Sequence, residues 1–242
     1  TYSKKFKVFN KLFTISGFAK GSGMIFPNMA TMLAFIFTDF AIDRDTLASF
    51  TKRAVDESFN RISVDGDTST SDTVFVSTTN KKNLKITTEE KLKALDKFYT
   101  ELQKAMVDLA RKIVMDGEGA KKFIEITVEN SKSVQRAKKI CFSIANSLLV
   151  KTAIAGEDAN WGRIVMAIGK SNARVIQSKI SISIGGIIVA KDGKKVENYN
   201  EKIITRHLKE KHINLDISLG YNKNHNATVW TCDFTKNYIS IN

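Results

Sequence analysis

Apolar residues recur along the chain with two different periods, one typical of helices and the other typical of strands. The helical period is clearest at 87–115, where Thr87 and Glu90 form a capping-box pattern at the start. The other helices that this period predicts are 43–61, 131–151 and 201–211. After the long helix, Gly117 suits a left-handed helix end, because glycine adopts positive φ without steric cost.

Strands are predicted where apolar residues alternate or form short runs. The run at 32–37 is aromatic and aliphatic throughout, which is typical of a strand buried on both faces. Asp192 and Gly193 predict a hairpin turn. The other predicted strands are 6–13, 74–76, 123–128, 180–184, 187–189, 213–219 and 227–234. Helices and strands occur in mixed order, so we predict an α+β fold with layered helices and mixed or antiparallel sheets.

Composition narrows the possible function classes. With 242 residues, 43% of them hydrophobic, the chain can bury a core of one or two domains. It has no apolar run near the roughly 18–20 residues that span a bilayer, so we expect no membrane association. The net charge of +13 comes from lysines scattered outside any recognised nucleic-acid module, so we expect no nucleic-acid partner.

Cysteine and histidine usage gives no metal-binding pattern. Cys141 lies in an apolar helical pattern and Cys232 in a strand pattern, so we expect two buried thiols rather than ligands or a disulfide. The three histidines do not form a zinc spacing with them. We therefore expect no metal, no bound cofactor and a reducing cytoplasm.

A glycine-rich, basic loop at 19–31 precedes the 32–37 strand and contains the only proline of the chain, Pro27. Thr31 then lies at a bent junction between loop and strand, where surrounding structure can hold backbone strain. This position makes Thr31 a candidate functional residue on physical grounds.

Two polar loops have alternative interpretations. The aspartate-rich segment 64–73 is typical of turns, although carboxylates there could also bind a cation outside the calcium-loop spacing. Glu118 lies between two glycines after a helix end, where the helix dipole disfavours negative charge. A solvated turn and a binding carboxylate both remain open for Glu118 on these grounds.

Several motifs resemble the ornithine acetyltransferase family, the bifunctional glutamate N-acetyltransferases of arginine biosynthesis. The most specific is AKGSGMIFPNMATML at 19–33, which matches the family's autocleavage segment nearly residue for residue. The others are VDGDTSTSDT at 64–73, DGEGAKKFIE at 116–125, LVKTAIAGEDANWGRI at 149–164 and YISIN at 238–242. The chain departs from the family pattern at Ser71, where asparagine is usual, and at Ala159, where proline is usual.

The resemblance implies a self-processing fold like those of ornithine acetyltransferases and β-aminopeptidases. It implies cleavage between Ala30 and Thr31, which divides the chain into 1–30, the end of an α-fragment, and 31–242, a β-fragment. Thr31 is then the acyl-transfer nucleophile. Lys20, Glu118 and Asn242, with Thr31, are then the substrate-binding residues.

The implied reaction moves an acetyl group from N2-acetylornithine to glutamate through a Thr31 acyl-enzyme. Acetyl-CoA is a possible second donor. We expect an N-terminal α-fragment segment to precede this chain and to carry the oxyanion-hole residues, and we expect dimers of α/β pairs. The alternatives are a related self-processing aminopeptidase or amidohydrolase and a basic nucleic-acid-binding module.

Overall fold

A computed structural model describes residues 1–26, 32–68, 72–82 and 87–242 of the chain. These residues form two compact units. The first comprises Thr1–Ile62 and Asp67–Ile113, and the second comprises Ser63–Gly66 and Val114–Asn242. The expected division into 1–30 and 31–242 concerns a covalent cut, which compactness does not test. That division remains a prediction.

The first unit is built on a sheet of four strands within the described residues. The strands are β1 (Tyr2–Val8), β2 (Lys11–Lys20), β3 (Leu33–Phe40) and β4 (Thr73–Lys82), in the order β1-β2-β3-β4. β1, β2 and β3 pair antiparallel, whereas β3 and β4 pair parallel. The strand expected at 6–13 is divided by a tight turn, in which Phe9 has a φ of 50°.

The expectation that the 32–37 strand is buried on both faces is wrong. Ala34 and Ile36 of β3 are fully buried, whereas Phe37 is 44% exposed. Successive side chains of a strand point to opposite faces, so the second face of this sheet carries the intervening aromatics. They form an aromatic face made of Phe18, Phe35, Phe37 and Phe75. This face is partly open to solvent.

Within the described ranges the first unit also contains the helix α1 (Arg44–Asp56) and all but the last two residues of the helix α2 (Thr88–Met115). The capping box is confirmed, since Glu90 N–H donates to Thr87 Oγ1 at 3.3 Å and Thr87 N–H donates to Glu90 Oε2 at 2.9 Å. The helix expected at 43–61 is shorter, because α1 ends at Asp56 and a separate 3-10 turn follows at Phe59–Arg61. No helix of the described residues is long and apolar enough to cross a membrane.

Helix α2 also carries a buried carboxylate. Glu101 is only 2% exposed and forms ion pairs with Lys4 at 2.7 Å and with Lys97 and Lys104 at 3.4 Å. Burial alone raises the pKa of the Glu101 carboxyl. The three lysines outweigh that effect and hold this pKa below its usual value.

The second unit is built on a sheet of six strands within the described part of the chain. In spatial order they are β10 (His225–Cys232), β5 (Phe123–Ser131), β9 (His212–Ser218), β6 (Ser181–Ile184), β7 (Ile187–Lys191) and β8 (Lys194–Lys195). Only β5 and β9 pair parallel among these neighbours. The predicted hairpin turn is confirmed, since Asp192 and Gly193 have φ values of 53° and 74°. The mixed sheets confirm the α+β fold class.

Five helices belong to the second unit among the described residues: α3 (Val134–Ala145), α4 (Leu148–Ala155), α5 (Trp161–Gly169), α6 (Glu201–Leu208) and α7 (Lys236–Ile241). The single helix expected at 131–151 is wrong, because the chain breaks into α3 and α4. Ser63 Oγ donates to Asn146 Oδ1 at 2.5 Å, and Ser147 caps α4 by accepting the N–H of Val150. Cys141 and Cys232 are both buried, as predicted.

Candidate active site

The predicted nucleophile and cleavage site, Thr31 and Ala30, lie outside the described residues. Their proposed roles therefore remain predictions. The strands beside them are described. Lys20 is the last residue of β2 and pairs with Leu33 of β3, which lies two positions after Thr31 in the sequence. The Lys20 side chain is exposed at this end of the sheet.

The chain is firmly held at Met32, the residue that follows Thr31. Its side chain is 2% exposed. Its N–H donates to Asp72 Oδ1 at 2.5 Å, and its carbonyl accepts the N–H of Thr73 at 3.0 Å. Burial raises the pKa of the Asp72 carboxyl above its usual value, although the hydrogen bond from Met32 opposes this shift. The turn pattern of 64–73 does not by itself predict this contact.

The backbone conformation at position 21 favours glycine. Gly21 has a φ of 147°, and a Cβ there would come within 3.1 Å of Ile25 Cδ1 and 3.4 Å of Met32 Cα. This positive φ is a conformation that residues with a side chain rarely adopt, so it favours glycine at this position.

In the second unit, two residues that the resemblance selected separately lie in contact. The Nδ2 amide of Asn242 donates to Glu118 Oε2 at 3.1 Å, although the residues are 124 positions apart in sequence. Asn242 Nδ2 also donates to the carbonyl of Tyr238 at 3.1 Å. Glu118 is partly exposed and Asn242 is exposed, so a polar molecule can reach the pair from solvent. A carboxylate in this position can accept hydrogen bonds from an ammonium group.

The loop that carries Glu118 corrects one sequence prediction. Gly119, with a φ of 69°, occupies the left-handed region, and Gly117 does not. Gly117 is packed tightly instead, because an added Cβ would lie 3.1 Å from the carbonyl oxygen of Val114, 3.2 Å from Val64 Cγ1 and 3.3 Å from Cys232 Sγ. A turn follows α2 as predicted, but Gly119 and not Gly117 is the glycine with positive φ.

A buried lysine lies close to this loop. Lys151 of α4 is 2% exposed, and its Nζ donates to Thr231 Oγ1 at 2.8 Å and to the carbonyl of Cys232. Burial lowers the pKa of the Lys151 ammonium, against the opposing effect of the Asp233 and Asp65 charges. The sequence-based predictions include no role for Lys151. A lysine among the apolar residues of α4 does indicate a buried charge.

The remaining candidates are placed as follows. Trp161 is partly buried at the start of α5 and packs against the core of the second unit. Within 1–26, 32–68, 72–82 and 87–242, no group of three or more His, Cys, Asp or Glu side chains is arranged to hold a metal ion.

Comparison with known proteins assigns the chain to a family. The model of the ArgJ family matches residues 1–242, so this chain belongs to the ArgJ family. The resemblance seen in the loop and strand motifs is thereby confirmed.

Two similar proteins are each named arginine biosynthesis bifunctional protein ArgJ. The one from Bradyrhizobium diazoefficiens is 46% identical over 235 residues, covering 95% of this chain and 56% of that protein. The one from Zymomonas mobilis is 49% identical over 226 residues, covering 93% and 55% respectively. The chain thus spans a little more than half the length of these curated relatives.

A solved structure shares the fold. The crystal structure of arginine biosynthesis bifunctional protein argJ from Bacillus halodurans matches with a TM-score of 0.81 and 40% identity. The match covers 87% of this chain and 98% of that one.

Proposed function

We propose that this chain belongs to an acetyltransferase that moves the acetyl group of N2-acetylornithine to glutamate in arginine biosynthesis. The observation that carries the proposal is the contact between Glu118 and Asn242 in a chain that matches the ArgJ family throughout. The family resemblance selected both residues for substrate binding, and they lie on separate segments of the sequence. Their meeting supports a shared role.

Thr31 is the nucleophile in this proposal. A threonine hydroxyl is weakly nucleophilic at neutral pH and requires a base. Self-cleavage between Ala30 and Thr31 supplies one, because the new α-amine has a reference pKa of about 7.7–8.0. The anchoring of Met32 by Asp72 supports this assignment, since it fixes the chain directly after the nucleophile.

The transfer proceeds in two steps, acetylation of Thr31 and transfer of the acetyl group to glutamate. The Thr31 oxygen attacks the acetyl carbonyl while the α-amine accepts the hydroxyl proton. The bond to the ornithine nitrogen then breaks, and that nitrogen takes the proton and leaves as an amine. The uncharged amine of glutamate next attacks the ester carbonyl and gives a proton to the α-amine. The C–O bond to Thr31 then breaks, the proton passes to the Thr31 oxygen, and N-acetylglutamate leaves. Acetyl-CoA, as a second donor, would enter at the same Thr31 step and release its thiol.

The binding residues suit the two amino acids. Lys20 offers an ammonium to the α-carboxylate that ornithine and glutamate share. Glu118 accepts the side-chain ammonium of ornithine, and Asn242 supplies an amide donor beside it.

We also propose that the part of the family's α-fragment outside these 242 residues packs against this chain in the cytoplasm and that the resulting α/β pairs dimerise. The partly exposed aromatic face supports a partner, because contiguous apolar surface marks interaction sites. Phe37→Ser is expected to weaken co-purification of a separately tagged segment of the α-fragment that lacks residues 1–30, whereas Ile188→Ser, at an equally exposed site on β7, is the matched control. Equal co-purification by both variants would count against this face.

The test of the activity uses the full-length protein with N2-acetylornithine, in the presence and absence of glutamate. Transfer predicts N-acetylglutamate only when glutamate is added. A related hydrolase, the second candidate, would release acetate and ornithine at the same rate without glutamate. Thr31→Ala is expected to abolish product formation, and Thr205→Ala on the exposed face of α6 is the matched control.

A further inference from the structure

A buried carboxylate accepts hydrogen bonds from the backbone of the loop that carries Glu118. Asp233 is 3% exposed and follows the end of β10. Its Oδ1 accepts the N–H groups of Lys121 at 2.8 Å and Lys122 at 2.9 Å. Its own N–H donates to the carbonyl of Lys122 at 3.1 Å. Hydrogen bonds to an ionised acceptor are stronger than neutral ones, so this contact fixes the loop a few residues after Glu118.

The next residues hold the other side of the same loop. Thr235 Oγ1 donates to the carbonyl of Gly119 at 2.7 Å. A Cβ on Gly119 would lie only 2.4 Å from the backbone nitrogen of Tyr238, so the two backbones are in close contact. The loop and the start of α7 are therefore packed directly against each other.

The same segment also places Asn242. Tyr238 accepts a hydrogen bond from Asn242 Nδ2 and donates through its hydroxyl to Asp65 Oδ2 at 3.2 Å. Both members of the substrate-binding pair are thus attached to residues that follow β10. The contact between Glu118 and Asn242 depends on this attachment.

Lys151 secures the other end of that segment. Its Nζ donates to Thr231 and Cys232, the two residues before Asp233. Its ammonium also interacts electrostatically with the Asp233 carboxylate. A buried carboxylate needs such a compensating charge, because removal from water disfavours its ionised form.

We propose that Asp233 is a positioning residue for Glu118, setting the affinity for the ornithine substrate without touching it. This inference rests on the proposed function. It assigns a role to a residue outside the recognition motifs, and it explains why a carboxylate is buried directly beneath the loop. Its effect is restricted to one substrate, since Glu118 serves the ammonium of ornithine and glutamate has no such group.

The experiment compares Asp233→Ala, Asp233→Asn and the surface control Asp96→Ala in the full-length protein. Asp233→Ala is expected to raise KM for N2-acetylornithine by about 10- to 100-fold, because loss of the charge-assisted hydrogen bonds that Glu118 makes to the substrate ammonium weakens binding by about that factor. KM for glutamate, kcat and self-cleavage are expected to remain within about twofold of wild type. Asp233→Asn, which keeps an acceptor oxygen, is expected to recover most of the loss.

A double variant separates positioning from general damage. In a Glu118→Gln background, Asp233→Ala is expected to add less than about twofold to KM, because residues acting through one another are not additive. A full additional increase would overturn the proposal. So would an equal rise in both KM values, or a fall in kcat with unchanged KM, which indicates loss of folded protein.

Hydrogen exchange gives a readout that does not need transferase activity. Amides of 116–122 are expected to exchange faster in Asp233→Ala and at the wild-type rate in Asp96→Ala. Unchanged exchange would contradict the positioning role even if the activity were confirmed. If wild-type protein formed no N-acetylglutamate, the proposed function would fail, while faster loop exchange and weaker N2-acetylornithine binding by calorimetry would still support positioning.

Discussion

Replacing Gly119 by alanine is expected to destabilise the protein more than the same change at another positive-φ glycine. Gly119 has a φ of 69°, and an added Cβ would lie 2.4 Å from Tyr238 N and 2.9 Å from Asn237 C. These are backbone atoms, so no side-chain rotation can relieve the overlap. Gly186 is the matched control, because it has a φ of 78° but no atom within 4 Å of an added Cβ.

The two variants separate conformational strain from steric overlap. The left-handed conformation costs a non-glycine residue roughly 1–2 kcal/mol, and this term is common to both. Overpacking adds about 1–3 kcal/mol at Gly119 alone. We therefore expect the free energy of unfolding to fall by about 2–5 kcal/mol for Gly119→Ala and by about 1–2 kcal/mol for Gly186→Ala.

The assay is urea denaturation of the full-length variants, with the free energy obtained from the midpoint and slope. Because Gly119 adjoins Glu118, the proposal also predicts a raised KM for N2-acetylornithine in Gly119→Ala only. Equal losses of stability in the two variants would refute the close approach between the loop and α7.

Two further perturbations test other parts of the structure. Glu101→Gln is expected to lower the free energy of unfolding by about 2 kcal/mol at pH 7, because a buried charge-assisted network is lost. Since the pKa of Glu101 is held below its usual value, this stabilisation is present above about pH 4.3 and disappears as the pH falls through the folded-state pKa. Urea denaturation from neutral to acid pH measures the difference in unfolding free energy between wild type and Glu101→Gln. A difference of the same size at every pH would contradict this prediction. Asp72→Ala removes the acceptor of the Met32 N–H and is expected to slow fragment release about tenfold in a gel time course, whereas an unaltered rate would show that this anchor is dispensable.

Local patterns predicted the elements whose determinants lie close together in the sequence. The capping box of Thr87 and Glu90 and the Asp192-Gly193 turn were correct, because each is formed by residues at most three positions apart. The fold class also followed from the mixed order of helices and strands. The motifs identified the family, and the structure then placed Asn242 beside Glu118.

Features decided by distant partners were not predictable in this way. Asn146, at the break between α3 and α4, accepts a hydrogen bond from Ser63, 83 positions away, and the local pattern does not show this contact. An added Cβ on Gly117 would meet Cys232, and one on Gly119 would meet Tyr238, and both partners belong to another segment of the chain. Such contacts override local propensity, so the periodic pattern alone gave one helix and the wrong glycine.

The supporting side chains of the candidate site were missed for the same reason. An isolated aspartate or lysine in a sequence is usually a surface residue. Asp233 and Lys151 are buried because each meets hydrogen-bonding partners contributed by other segments. Motif resemblance selects residues that contact substrate, whereas the residues that position them become visible only in the folded chain.

The most direct test is intact-mass analysis of the full-length protein after incubation with N2-acetylornithine and without glutamate. We expect two fragments. The second has Thr31 at its new N-terminus and carries one acetyl group. We also expect that Thr31→Ala stays uncut and unacetylated. An uncut wild-type chain, or an acetyl group on another side chain while Thr31 is unmodified, would contradict the assignment of Thr31 as the nucleophile that self-cleavage releases.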